Sequence, residues 1–168
     1  LSRKFKVAGI PTLVLLDEEG KVINKDGRSA VMMDRSGEEF PWRAPQSPGE
    51  VLASIGSFTN AKGETVSYDS LKGKRIGLYF SAHWCGPCRM FTPELIKRYH
   101  TIKGGEHADD FELIFVSADR EPDQFADYAG SMPWLRFSPF ENAKAVRDIN
   151  SMCEVQGIPS LVLLSPTH

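Results

Sequence analysis

Residues 77–89 read GLYFSAHWCGPCR, and this stretch decides the fold. The apolar run IGLYF at 76–80 reads as a strand, and Cys85-Gly86-Pro87-Cys88 is read as following it directly. Gly86 and Pro87 suit the first turn of a helix, where a proline costs no hydrogen bond. The pattern predicts a helix from about Gly86 to about Ile102, kinked at Pro93. Cys85 then stands where a strand hands over to a helix. Its sulfur meets the positive end of the helix dipole and amide groups without intrahelical partners. Both favour the thiolate, which is the nucleophile. Cys88 lies one helical turn on, close enough to attack a mixed disulfide formed at Cys85. Reversible dithiol–disulfide exchange requires this spacing and placement.

Two other readings of the pair compete. A structural zinc site wants four ligands, usually a second C-x-x-C or a histidine pair at 3–5 spacing. Here the spare sulfur is Cys153, and His83, His100, His107 and His168 form no such pair, so redox chemistry outweighs metal. A purely structural disulfide would close a short ring at a helix start, and it too is the weaker reading.

Working outward, ELIFVSAD at 112–119 reads as a buried strand. EPDQFADYAG at 121–130 reads as a helix with Pro122 in its first turn, and NAKAVRDINSMC at 142–153 as another with Asn142 as N-cap. SLVLL at 160–164 is a final strand, and strands alternating with helices predict a three-layer α/β domain.

The two ends of the chain repeat one another. VAGIPTLVLL at 7–16 and VQGIPSLVLL at 155–164 agree at eight of ten positions, 148 residues apart. That offset is a domain length rather than a solenoid period. Residues 1–42 therefore read as the C-terminal part of one domain: a hairpin of 12–16 with 20–25 turning at Gly20, a short helix in GRSAVMMD at 27–34, then FPW at 40–42. RAPQSPGE at 43–50 opens a linker taken to span 43–57. Residues 58–168 read as the second domain, lacking its own last strand and helix. The chain opens Leu1-Ser2-Arg3 without a methionine, as a piece of something longer would. Residues 12–34 are expected to complete the second domain's sheet, within the chain or in a swapped homodimer.

Of 168 residues, 41% are apolar and 25% charged, which fits a globular protein. With 20 lysines and arginines against 22 aspartates and glutamates, the net charge of −2 gives no footprint for nucleic acid or an anionic membrane. No apolar stretch approaches the ~18 residues of a membrane span. Three cysteines do not make a disulfide scaffold.

Ile158-Pro159 follows Gly157 just ahead of an apolar strand, an unusual place because proline cannot donate to a ladder. It reads as a cis-proline loop facing the C-x-x-C and leaving backbone groups for an extended substrate, with a plain strand-entry proline as the competing reading. Pro11 holds the same place in the first repeat, has no C-x-x-C to face, and is structural. Cys153 reads as a small buried hydrophobe, and Trp134 as a loop anchor. Trp84, beside the leading cysteine, is expected to line the site.

These residues resemble the thioredoxin superfamily. GLYFSAHWCGPCR at 77–89, FTPEL at 91–95, IFVSADR at 114–120, MPWL at 132–135 and GIPSLVLL at 157–164 are similar to its nucleoredoxin and tryparedoxin branch, and to nucleoredoxins above all. Those proteins carry tandem domains joined just after FPW. The resemblance implies a thioredoxin-like three-layer sandwich on a central mixed sheet, and reduction of protein disulfides without a bound cofactor. It implies Cys85 as the attacking thiol, Cys88 as the resolving thiol and Pro159 as the cis-proline. Trp84, Gly86, Pro87, Ile158 and Pro159 are then the substrate-binding residues. It further implies an upstream thiol reductase and a cytoplasmic location, with the nucleus as a second. The alternative it carries is a redox-sensitive module that binds a signalling partner. This chain departs from the branch at Gly86, where a proline is usual. It departs from thioredoxin at Tyr79, where a buried aspartate is kept. A phenol of pKa ~10 cannot act as that carboxylate, which leaves water or Glu94 to take the Cys88 proton.

Overall fold

The computed structural model describes residue 5, residues 7–44 and residues 47–167. Residues 1–4, 6, 45–46 and 168 lie outside them. The chain divides into two compact units, Leu1–Gln46 and Ser47–His168.

In the first unit, strands β1 (Leu15–Leu16) and β2 (Val22–Asn24) pair antiparallel. Gly20 makes the turn at φ 78°, a conformation that residues with a Cβ rarely adopt. Helix α1 (Gly27–Met33) follows, its N-cap Asp26 accepting from the Ser29 N–H. The hairpin is shorter than its sequence suggested, and it forms a two-stranded sheet of its own.

The stretch expected as a linker over 43–57 is largely helix α2 (Pro48–Ile55). Ser47, Pro48 and Gly49 read as chain breakers, but a serine followed by a proline also starts a helix. Ser47 Oγ accepts from the Glu50 N–H at 3.2 Å, Pro48 lies in the first turn, and Val51 and Leu52 are buried. The polar stretch after it is also structured. Strands β3 (Ser57–Thr59) and β4 (Thr65–Ser67) form a hairpin, and a single 3₁₀ turn runs over Tyr68–Leu71.

The remaining elements are β5 (Arg75–Ser81), α3 (Gly86–Lys103), β6 (Phe111–Ser117), α4 (Pro122–Gly130), β7 (Leu135–Arg136), α5 (Ala143–Met152) and β8 (Ser160–Leu164). Asn142 stands at the N-cap of α5, but its side-chain amide turns back to donate to the Ser138 carbonyl instead of capping. The six-stranded sheet runs β4-β3-β7-β6-β5-β8. It is mixed: β6 is parallel to β5 and to β7, while β8 runs antiparallel to β5. This is the thioredoxin-like α/β sandwich.

Strand alternation sorts the core into two layers. Ile76, Leu78 and Phe80 of β5 join Ile114 and Val116 of β6 on the face covered by α2 and α5. Tyr79 joins Leu113 and Phe115 on the other face, under Leu95 and Tyr99 of α3 and Tyr128 of α4. Gly77 marks the tightest point. A Cβ there would meet the end of the Leu113 side chain, which would have to shift to make room. Trp134 anchors the second layer, ring against ring with Tyr79 and Tyr99 at 5.8 and 5.5 Å between centroids. Arg136 of β7 pairs with both Thr59 and Phe115, so this two-residue strand ties the β3–β4 hairpin to the sheet.

Candidate active site

Strand β5 is buried to its last residue, Ser81, and delivers Ala82 to Trp84 as a tight turn in which the Cys85 N–H donates to the Ala82 carbonyl at 3.2 Å. Helix α3 starts immediately, with Cys85 as its N-cap residue in an extended conformation. Cys85 and Cys88 are joined by a disulfide, their Cα atoms 5.2 Å apart. The Cys88 N–H donates to Cys85 Sγ at 3.2 Å, so a helix-terminal amide without an intrahelical partner is aimed at this sulfur. The two cysteines differ in access: Cys85 keeps 6% of its surface and Cys88 none. Gly86 and Pro87, between them, are exposed.

Ile158 packs against the small apolar bed of Ala82, Cys85 and Cys88. Its carbonyl oxygen lies 3.8 Å from Cys85 Sγ. The sulfur carries no proton in the disulfide, so this is an approach rather than a hydrogen bond. The Ile158–Pro159 peptide is cis, as are Ile10–Pro11 and Phe40–Pro41.

The loop after β6 braces the turn. Asp119 is buried, one carboxylate oxygen accepting from the His83 N–H at 2.7 Å and the other from Ser117 Oγ at 2.8 Å. The Trp84 indole N–H donates to the Ala118 carbonyl at 3.1 Å, yet 49% of the residue stays exposed.

Below Cys88 lies a chain of four hydroxyls. Thr92 Oγ1 donates to the Cys88 carbonyl at 2.9 Å. A hydroxyl has one proton and two lone pairs, so Thr92 must accept from its other neighbours, Tyr79 Oη at 2.8 Å and Tyr128 Oη at 2.6 Å. Tyr128 in turn accepts from Ser81 Oγ at 2.9 Å. Tyr79 Oη also lies 3.5 Å from the Cys88 carbonyl, so Thr92 and Tyr79 both face that oxygen. Burial above all pushes the Tyr79 phenol up to about 12, so it stays neutral. Glu94, considered for the Cys88 proton, is paired with Lys97 at 2.6 Å on the exposed side of α3, while Cys88 is fully buried. That pairing and exposure give Glu94 no path to the sulfur.

The pattern in the sequence missed this network and Asp119. Thr92 stands one helical turn after Cys88, and Ser81 shares a strand face with Tyr79, so both positions carried a signal. Tyr128 and Asp119 reach the site through the fold alone. Cys153, half-buried against the α2–α5 side of the core, has its thiol pushed up by burial. Among the described residues no group of three His, Cys, Asp or Glu side chains could hold a metal ion. No helix among them is long and apolar enough to cross a membrane.

Comparison with known proteins gives this arrangement its relatives. A family model described as Thioredoxin-like matches residues 73–168. Tryparedoxin I from Crithidia fasciculata is 37% identical in sequence and superposes with a TM-score of 0.63, covering 71% of this chain and 81% of that one. The chain belongs to the thioredoxin superfamily, in its nucleoredoxin and tryparedoxin branch. The nucleoredoxins of Bos taurus and Homo sapiens are each 41% identical over 167 residues, which is 99% of this chain. The chain spans 37% of the length of either. In this chain the Thr92, Tyr79 and Tyr128 hydroxyls lie beneath the dithiol.

Proposed function

We propose that this chain is a thiol–disulfide oxidoreductase that reduces protein disulfides through Cys85 and Cys88. The observation that carries the reading is the inequality of the two sulfurs. Cys85 retains an opening to solvent and accepts the Cys88 N–H at the start of α3, whereas Cys88 is sealed beneath it. The cysteine that keeps an opening and receives a helix-terminal N–H is the attacking group, and a sealed neighbour one turn away is the resolving group. The Cys85 thiolate attacks a substrate disulfide, forms a mixed disulfide and releases one substrate thiolate. The Cys88 thiolate then attacks Cys85 Sγ and releases the second. Two electrons pass from the dithiol to the substrate, and an upstream thiol reductase returns them.

Trp84, Gly86, Pro87, Ile158 and Pro159 frame the opening at Cys85 and are the surface on which an extended substrate segment lies. A dithiol kept reduced in this way belongs in a reducing compartment such as the cytoplasm or nucleus. No feature of the site favours the redox-sensitive binding module over turnover. The test is insulin reduction with an excess of dithiothreitol. The reading expects catalysis well above dithiothreitol alone and none in Cys85→Ser, whereas a rate equal to dithiothreitol alone refutes it. Light scattering addresses the swapped pairing of residues 12–34: a mass of one chain removes it, and twice that mass supports it.

A further inference from the structure

The rim of the dithiol holds a cation whose use the exchange chemistry leaves unexplained. Arg120 is exposed in the loop between β6 and α4, and its guanidinium carbon sits 5.5 Å from the centre of the Trp84 ring. Trp84 is fixed by its bond to the Ala118 carbonyl, and the next residue is Cys85. The arginine is therefore held against the ring of the residue that precedes Cys85. A guanidinium drawn to an indole by cation–π attraction keeps N–H groups for other partners. Among the described residues Arg120 makes no ion pair. The nearest carboxylate in sequence on one side, Asp119, already spends both oxygens on His83 and Ser117. On the other side Glu121 heads α4, exposed and not paired with it. Arg89, exposed directly after Cys88, adds a second cation with no ion pair.

We propose that Arg120, held over the Trp84 ring, is a specificity residue that receives a carboxylate side chain flanking the disulfide of the substrate protein. Two parallel N–H···O bonds from the guanidinium match a carboxylate. The net charge of the chain is −2, so attraction of acidic partners would have to arise from this local rim and not from the whole molecule. The proposal rests on the disulfide-reductase reading.

The experiment measures second-order rate constants for pre-reduced protein with three synthetic peptide disulfides that differ only in the residues flanking the cystine: aspartate, serine or lysine. One dithiol and one peptide disulfide give one protein disulfide and two peptide thiols, so release of peptide thiol reports the step. The expected order is aspartate, serine, lysine, with the outer two separated about two- to five-fold at low salt, the range for an exposed ion pair. Raising the salt compresses that ratio. The aspartate-to-lysine ratio is the readout because any loss common to all peptides cancels in it. Arg120→Lys should keep the ratio above one, Arg120→Gln should bring it down, and Arg120→Glu should turn it below one. A ratio near one in the unaltered protein, or a ratio that survives Arg120→Glu, overturns the proposal. If none of the three peptides reacts, the reductase reading fails and the proposal falls with it.

Discussion

The Cys88 amide donates to Cys85 Sγ at 3.2 Å, from the first turn of the helix that Cys85 caps. In the reduced protein this donor and the helix dipole act on the same sulfur, and both favour its charged form. Iodoacetamide should therefore label Cys85 with an apparent pKa below the ~8.5 of an ordinary thiol. Cys88, fully buried, should stay unlabelled. Peptide mapping after timed alkylation across pH checks both statements. Labelling of Cys88 first, or a midpoint for Cys85 at the ordinary value, contradicts them.

The hydroxyl chain predicts an ordered set of losses. Thr92→Val keeps the shape but removes the atom that serves the Cys88 carbonyl, Tyr79 and Tyr128 together, and should cost about 1–3 kcal/mol for the groups left unpaired. Thr92→Ser should cost less, because the hydroxyl remains. Tyr79→Phe removes a single donor and should cost about 0.5–1.5 kcal/mol. Urea unfolding of the three variants tests the order, and a Thr92→Val no less stable than Thr92→Ser contradicts it.

The same phenol gives a pH dependence at the alkaline end. Tyr79 is raised from 10.0 to about 12, chiefly by burial. A folded-state pKa above the unfolded one means stability present below pH 10 and lost as pH climbs toward about 12. Tyr79→Phe should flatten that part of the unfolding profile, and an unchanged profile counts against the buried neutral phenol.

At the acid end the first unit supplies the test. Burial pushes the Asp34 carboxyl upward, but the Trp42 indole N–H, the Glu39 N–H, Ser36 Oγ and the Gly37 N–H outweigh it and hold the group at about 2. The Trp42 bond, 2.8 Å long, also secures a residue whose φ of 52° is rare for a bulky side chain. A depressed folded pKa means the stabilisation is present above the ordinary 3.8 and lost as pH falls toward about 2. The Trp42 indole N–H resonance should shift with a midpoint well below 3.8 and lose that titration in Asp34→Asn.

How much of this was legible depends on the range of the interaction. The strand before Cys85 and the helix after it are written in local pattern, and the structure follows them; the strand read over 112–119 forms as Phe111–Ser117. Pro48 shows where local pattern misleads: next to Ser47 it starts a helix, and the burial of Val51 and Leu52 that settles the matter comes from the sheet they pack against. Leu135–Arg136 is a strand only because Thr59 and Phe115 flank it, which no window of sequence contains. At the site, Cys85, Cys88 and Ile158 carry spacing signals. Asp119 joins them across 36 residues and Tyr128 reaches Thr92 across another 36, distances at which a single sequence offers no pattern.

Asp119 predicts an effect confined to the turn that carries the cysteines. Asp119→Ala leaves the His83 N–H and the Ser117 hydroxyl without an acceptor in a buried place, costing about 1–3 kcal/mol. Asp119→Asn keeps an oxygen for the His83 N–H and should retain most of the stability. Hydrogen exchange at the His83 amide separates the two, with faster exchange expected in the alanine variant alone.

The central claim is that Cys85 attacks and Cys88 resolves, and trapping tests it most directly. Cys88→Ser, reduced and mixed with a disulfide-bonded protein such as insulin, should accumulate a mixed disulfide that mass spectrometry assigns to Cys85, while Cys85→Ser should accumulate none. An adduct on Cys153 in place of Cys85, or a stable adduct on Cys88 in Cys85→Ser, would contradict the account.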